Sequence, residues 1–335
     1  MEHNFAPVDQ VGTSPDTTSD LAAWIASAPL AALVTEFGGG PGDLAAEDLA
    51  AGDVSLADRF AALDRFSDRW DTRVDPTTGV ARERNQADEL PLTDSQVDLV
   101  LAAADAFGMR EVHKPRHAEY DFVFMLGGLV RACLNRPAYA AHLVSTGTVT
   151  AKSIVALGGH RPFAGDEPEL AAAAGHPDLV DEFGALDRGT TAAFGLREPD
   201  EVQGEESDLV GGAWDVRNYH TADGLPVTVA AAPSSDPENR RANTADSYDW
   251  FATRFAHVEP GQRVLAITTP IYVNQQHAAA LRMLGSPYRV EVETIGNDPE
   301  LVAPELQQHF SPSKYLMEIR STVRAFRALL DSLDG

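Results

Sequence analysis

The sequence has no second cysteine. Cys133 stands alone in 335 residues, which excludes an intrachain disulfide and a cysteine-rich zinc site. A small buried hydrophobe on a helix is the ordinary role of such a residue and outweighs a catalytic thiol. Lysine is nearly missing as well, with Lys114, Lys152 and Lys314 the full set. Against 26 basic residues stand 51 acidic ones, for a formal net charge of −25, and no run of Lys or Arg reverses that sign locally. A surface of this kind repels nucleic-acid phosphates and anionic lipid, so no nucleic-acid partner is expected. No stretch approaches about 18 uninterrupted apolar residues, so no membrane span is expected either. The polar start MEHNFAPVDQ does not read as a secretory signal, and the expected compartment is the cytoplasm.

What remains is the composition of an ordinary globular protein, 44% hydrophobic and 23% charged. Abundant Ala, Asp and Arg with little Lys is the usage of a GC-rich bacterial coding sequence. Residues 1–19 are polar and read as a loose arm. Residues 20–115 read as helical. Leu21, Trp24 and Ile25 follow Asp20, and Leu56, Phe60, Leu63, Phe66 and Trp70 follow Ser55 with Asp58 as a capping-box variant. Thr93 with Gln96 opens a further helix.

From residue 116 to 335 the texture changes to five apolar runs, at about 120–126, 153–157, 226–232, 263–268 and 288–295, separated by helical patterns. Near-continuous apolar runs suit strands buried on both faces, and the alternation implies right-handed crossovers. The expected fold class is therefore α/β: an open, mostly parallel, Rossmann-like sheet with helices on both faces, plus the N-terminal helical region. An acidic insertion at about 196–224, placed as a lid, is too long for a plain crossover.

Ligands of open α/β sheets sit beyond the carboxyl ends of the strands. Two of the runs end in glycine pairs, Gly127-Gly128 and Gly158-Gly159, which let backbone N–H groups approach a ligand. A tight turn with close helix packing is the competing explanation, and its repetition on consecutive strands favours a ligand floor. His160 and Arg161 follow the second pair, and Thr268 and Thr269 close the fourth run. Asn243 and Thr244 stand where a helix is capped or a ligand is hydrogen-bonded, with Arg240 and Arg241 beside them. No GxGxxG fingerprint, Walker A loop or GxSxG elbow occurs. The acids after Gly159 do not match a known metal-ligand spacing, and no metal is expected.

These positions, in this order, resemble the YdcF/SanA/ElyC family of bacterial proteins. Leu126-Gly127-Gly128, Leu157-Gly158-Gly159, Asn243-Thr244, Thr268-Thr269-Pro270 and a closing helix with Tyr315, Leu316 and Glu318 carry the resemblance over about residues 118–330. The His and Arg of the family's last motif fall on Tyr272 and Gln275, and the acid of its Glu-Ala motif on Glu182 or Asp187. The resemblance to the soluble YdcF type implies S-adenosylmethionine as the ligand.

The leading expectation is a small-molecule site, enzymatic in character, for a nucleotide-like ligand. In it Gly127, Gly128, Gly158, Gly159, Asn243, Thr244, Thr268 and Thr269 surround the ligand, and Asp236 or an acid near the second strand holds a ribose. His160 and Tyr272 are the candidate acid or base. A second expectation is a hydrolase or transferase of phosphate or carboxylate esters, with Arg131, Arg161 and Arg240 as an anion clamp and Gln275 beside the substrate. A third is a non-enzymatic sensor or scaffold. The sequence does not set the oligomeric state.

Overall fold

The computed structural model describes residues 3–14, 16–40, 43–73, 82, 84–255 and 258–333. Contacts divide the chain into two units: residues 1–111 with 270–278 and 309–335, and residues 112–269 with 279–308.

The first unit is helical. Helices α1 (Thr17–Ile25), α2 (Ala28–Glu36), α3 (Leu56–Ser67) and α4 (Asp94–Ala106) begin where the capping chemistry puts them. Ser55 accepts the Asp58 N–H, and Thr93 and Gln96 form the reciprocal capping box. Thr17–Glu36 is long and apolar enough, by length and composition, to cross a membrane. Here it breaks between α1 and α2, and Leu21, Trp24, Ile25, Leu30, Leu33 and Val34 are buried within the helical unit. The closing helix, Pro312–Leu333, belongs to this unit and not to the sheet. The reason is its amphipathic face: Phe326 meets Trp24 edge-on at 4.9 Å, and Arg327 pairs with Asp64 at 2.8 Å.

The second unit is the α/β one. A single sheet is formed by β1 (Glu119–Leu126), β2 (Thr150–Gly158), β3 (Glu201–Glu205), β4 (Trp214–His220), β5 (Pro226–Ala231), β6 (Arg263–Thr268) and β7 (Glu291–Gly296). Its order is β3-β4-β5-β2-β1-β6-β7. The last five of these neighbours run parallel, while β3 and β4 are antiparallel additions on the β5 edge. Taken in order of appearance, the parallel strands lie 3-2-1-4-5, the order of the dinucleotide-binding folds. The acidic insertion thus supplies two strands. Their polar residues had hidden them, because β3 is exposed throughout and acidic, as a guarded sheet edge is.

Helix α5 (Val130–Ser145) follows β1, and α6 (Glu167–Ala173) and α7 (Glu182–Phe194) follow β2; these three share one core cluster, and α8 (Thr244–Arg254) lies on the other face. Val123 and Met125 of β1 join the core with Cys133, Ala140 and Leu186, while Phe122 and Phe124 meet Phe251 of α8. Helices α5 and α7 cross at a point where each makes room. Pro137 has no N–H, which leaves the Cys133 carbonyl without its usual helical donor. Gly189 of α7 rests against that carbonyl, and a Cβ there would collide with it.

Candidate functional site

The parallel strand order reverses between β1 and β6, and the carboxyl ends of these two strands flank the switch point. Arg136 of α5 is buried there. Its Nη1 donates to the carbonyls of Leu126 (2.5 Å) and Gly127 (2.6 Å), and its Nη2 donates to Thr269 Oγ1 (3.1 Å). It terminates β1 by satisfying carbonyls that have run out of strand partners. The Thr268 carbonyl accepts from the Asn297 N–H at 2.7 Å. Among the described residues, the Thr268 hydroxyl and the Tyr248 hydroxyl of α8 are fully buried and make no hydrogen bond.

The two glycine pairs surround a carboxyl group of the chain itself. A Cβ on Gly127 would overlap Glu182 Oε1, and one on Gly158 would lie 3.1 Å from the same oxygen. Glu182 opens α7, and its other oxygen accepts from Arg161 Nε at 3.0 Å. Burial pushes this carboxyl up from the ordinary range, against the opposing pull of the Arg161 charge and the Gly159 amide. Arg161 also forks onto Glu167, with Nη1 to Oε2 at 2.6 Å and Nη2 to Oε1 at 2.8 Å, and reaches the Gly128 carbonyl at 2.9 Å. The expected glycines and Arg161 are therefore brought together. Around Gly127 and Gly158 the space is filled from inside. Gly159 is different: a Cβ there would meet only Ala242, at 3.7 Å.

His160 leaves the end of β2 half-buried, with its ring edge-on to Phe183 at a centroid distance of 5.2 Å. Among the described residues it makes no hydrogen bond. Phe183 is covered from another direction by the Arg217 guanidinium, 4.7 Å from its centroid. Arg217 donates to Asp187 (2.5 Å), which also accepts from Tyr219 (2.7 Å). Asp215 of β4 completes the group. Burial raises its carboxyl, the charges of Arg217 and His160 draw it down, and among the described residues its buried Oδ1 has no hydrogen-bond partner.

Other expected residues are engaged elsewhere. Asn243 caps α8, its Oδ1 accepting from Ala245 (2.9 Å) and Asp246 (3.2 Å), with Thr244 the first helical residue. Arg240 grips Asp246 through both nitrogens at 2.5 and 2.9 Å, and Asp236 binds Asn239 at 2.9 Å, so this loop is a closed polar knot. Arg131 donates to the carbonyls of Glu305 (3.1 Å) and Gln307 (2.6 Å). Arg131, Arg161 and Arg240 thus share no partner. Tyr272 and Gln275 lie in the helical unit. There the Arg84 guanidinium stands 5.3 Å from the Tyr272 ring, and Gln275 donates to the buried Glu318 at 2.9 Å. No group of three or more His, Cys, Asp or Glu that could hold a metal occurs among the described residues.

Sequence reasoning missed Arg136 and Asp215, and weighed Glu167 only as one of the acids after Gly159 that match no metal-ligand spacing. Arg136 had one usable signal, a cation inside an otherwise apolar helical stripe two turns after a glycine pair. Asp215 had none, since its strand was not recognised.

Comparison with known proteins bears on both units. Residues 9–108 match the family model described as the Rv3785 N-terminal domain. The chain is 29% identical to the uncharacterized protein Rv3785 of Mycobacterium tuberculosis strain H37Rv, over 93% of its own length and 89% of that protein. The same figures hold for the uncharacterized protein Mb3814 of Mycobacterium bovis. No solved structure matches significantly. These matches overturn the resemblance to the YdcF/SanA/ElyC family. The physical reason is visible at the motifs that carried it: glycine pairs at strand ends and an Asn helix cap meet general demands of an open parallel sheet, and so identify no family.

Proposed function

We propose that the α/β unit binds a small nucleoside-like ligand at the carboxyl ends of β1, β2 and β6 and exchanges a proton with it through His160, as an enzyme of the cytoplasm. The observation that carries this reading is the environment of that imidazole. It is held by its ring edge against Phe183 and keeps both nitrogens free of hydrogen bonds within the described residues. On the flanking elements, two carboxyls, Glu182 and Asp215, are raised by burial. An imidazole beside carboxyls of this kind, at the ligand end of a parallel sheet, is a combination suited to proton transfer. The ester reading, in which three arginines clamp an anion, draws no support from guanidiniums that have separate partners. S-adenosylmethionine is one member of the ligand class, although the family resemblance no longer argues for it.

The test is calorimetric titration of adenosine, S-adenosylmethionine and S-adenosylhomocysteine into the full chain and into Gly159→Val. A Cβ at position 159 meets only Ala242, at 3.7 Å, and does not touch Glu182. Saturable binding by at least one of the three, weakened about tenfold or more in the variant, is expected. No binding by any of them refutes the reading.

A further inference from the structure

We propose that Glu167 is a built-in counter-anion that sets the ligand class of this site, restricting it to nucleosides that carry no phosphate at the turn between β1 and α5. The proposal rests on the reading that the ligand lies at the strand ends. In folds with this strand order the first strand leads to a helix whose N-terminus receives the ligand's pyrophosphate. Here that helix is α5, and its first residue, Val130, already donates its N–H to Glu167 Oε1 at 2.8 Å. The same oxygen accepts from Arg161 Nη2 at 2.8 Å. The second oxygen accepts from Arg161 Nη1 at 2.6 Å and from the Ala164 N–H at 2.9 Å. Two backbone donors and a guanidinium fork are what a phosphate would ask of the site. The carboxylate takes all of them and is 1% exposed. A ligand phosphate would have to displace it, and the two anions would then compete for one guanidinium in a buried space.

Glu167→Ala vacates the cradle while leaving Val130, Ala164 and Arg161 in place. Calorimetry on the full chain, with inorganic pyrophosphate and with adenosine as separate probes, reads the effect. Wild type is expected to ignore pyrophosphate, and the variant to bind it at least about tenfold more tightly than wild type. A folded variant that gains nothing overturns the proposal. Should the variant fail to fold, the wild-type Val130 amide resonance decides: a saturable shift with pyrophosphate overturns the proposal, and no shift upholds it. Adenosine failing on wild type while pyrophosphate binding appears in the variant removes the nucleoside reading and leaves Glu167 as the occupant of the anion site.

Discussion

The seating of Glu182 between two glycines makes a quantitative prediction about a single methyl group. Gly127 and Gly159 both lack a positive φ, so alanine is acceptable to the backbone at either. They differ only in the space available. At position 127 the new Cβ overlaps Glu182 Oε1 and lies 2.9 Å from the Gly158 Cα and 3.1 Å from the Leu157 carbonyl. Backbone on one side cannot yield, so the carboxyl must. Overpacking of this kind costs about 1–3 kcal/mol. Moving the carboxyl also loosens its bond to Arg161, and the loss of a buried pair has an upper limit of about 3–5 kcal/mol. We expect Gly127→Ala to destabilise the α/β unit by about 2–4 kcal/mol, taking the pair as partly retained. Gly159→Ala, which makes one ordinary contact with Ala242, should fall within about 0.5 kcal/mol of wild type.

Native-state hydrogen exchange of the β1 and β2 amides reads this unit alone, and avoids treating a two-unit chain as a single transition. In urea, with a slope of about 3 kcal/mol per molar, the same loss moves the midpoint by about 1 M. Equal stabilities for the two variants would refute the placement of Glu182, and with it the claim that the glycine pairs are filled from inside.

Asp246 gives a pH-dependent prediction. Burial alone would raise its carboxyl, but hydrogen bonds from Arg240 and Ser235 outweigh that and hold it at about 2, below its ordinary 3.8. The resulting stability, about 2 kcal/mol, is present above pH 4 and lost as pH falls towards 2. Asp246→Asn should therefore be destabilised at pH 7 and nearly equal to wild type at pH 2, in denaturant midpoints measured at both. His160→Gln, which gives up the edge-on contact with Phe183 but no described hydrogen bond, should lower the unfolding free energy by no more than about 1.5 kcal/mol; a larger fall would make His160 structural. In the helical unit, Glu318 accepts from Arg84 at 2.8 Å and from Gln275. Its replacement by Ala should cost about 2–3 kcal/mol in thermal or urea unfolding, less than a fully buried pair because Arg84 can turn to water.

The fold was legible because the parallel strands are buried on both faces and so announce themselves as apolar runs such as YDFVFML and RVLAIT. The helix starts at Ser55 and Thr93 were legible because capping is local chemistry. Strand β3 was not, since an exposed acidic edge carries neither an apolar run nor a clean alternation, and β4 was not, since WDVRNYH buries only Val216 and Tyr219. The closing helix showed its amphipathic face plainly, but nothing local says which surface that face will meet. At the candidate site the glycine pairs were found, and Glu182 was named only as one of two acids for a motif, not as the group that fills the space beside them. Gly127 and Glu182 are separated by 55 positions, and a glycine reserved for a ligand looks the same in sequence as one reserved for a side chain. His160 was visible as an isolated histidine after a strand, whereas its relation to Asp215 depends on an unrecognised strand pairing with β5.

Two features of different origin agree on what this site should refuse. One is global: a net charge of −25 lowers the local concentration of any polyanion near the surface. The other is local: the helix N-terminus and guanidinium fork suited to a phosphate are occupied by Glu167, and the neighbouring glycines by Glu182. Arg161 lies between the two carboxyls, at 2.6 Å from one and 3.0 Å from the other, so the floor has little positive charge to offer a ligand. A dinucleotide-type strand order without its glycine fingerprint then ceases to be a contradiction. The fingerprint exists to let a pyrophosphate approach the backbone, and a chain that supplies its own anion there has no need of it. On the proposed reading, discrimination by hydrogen-bonding shape rather than by charge is what remains to the site.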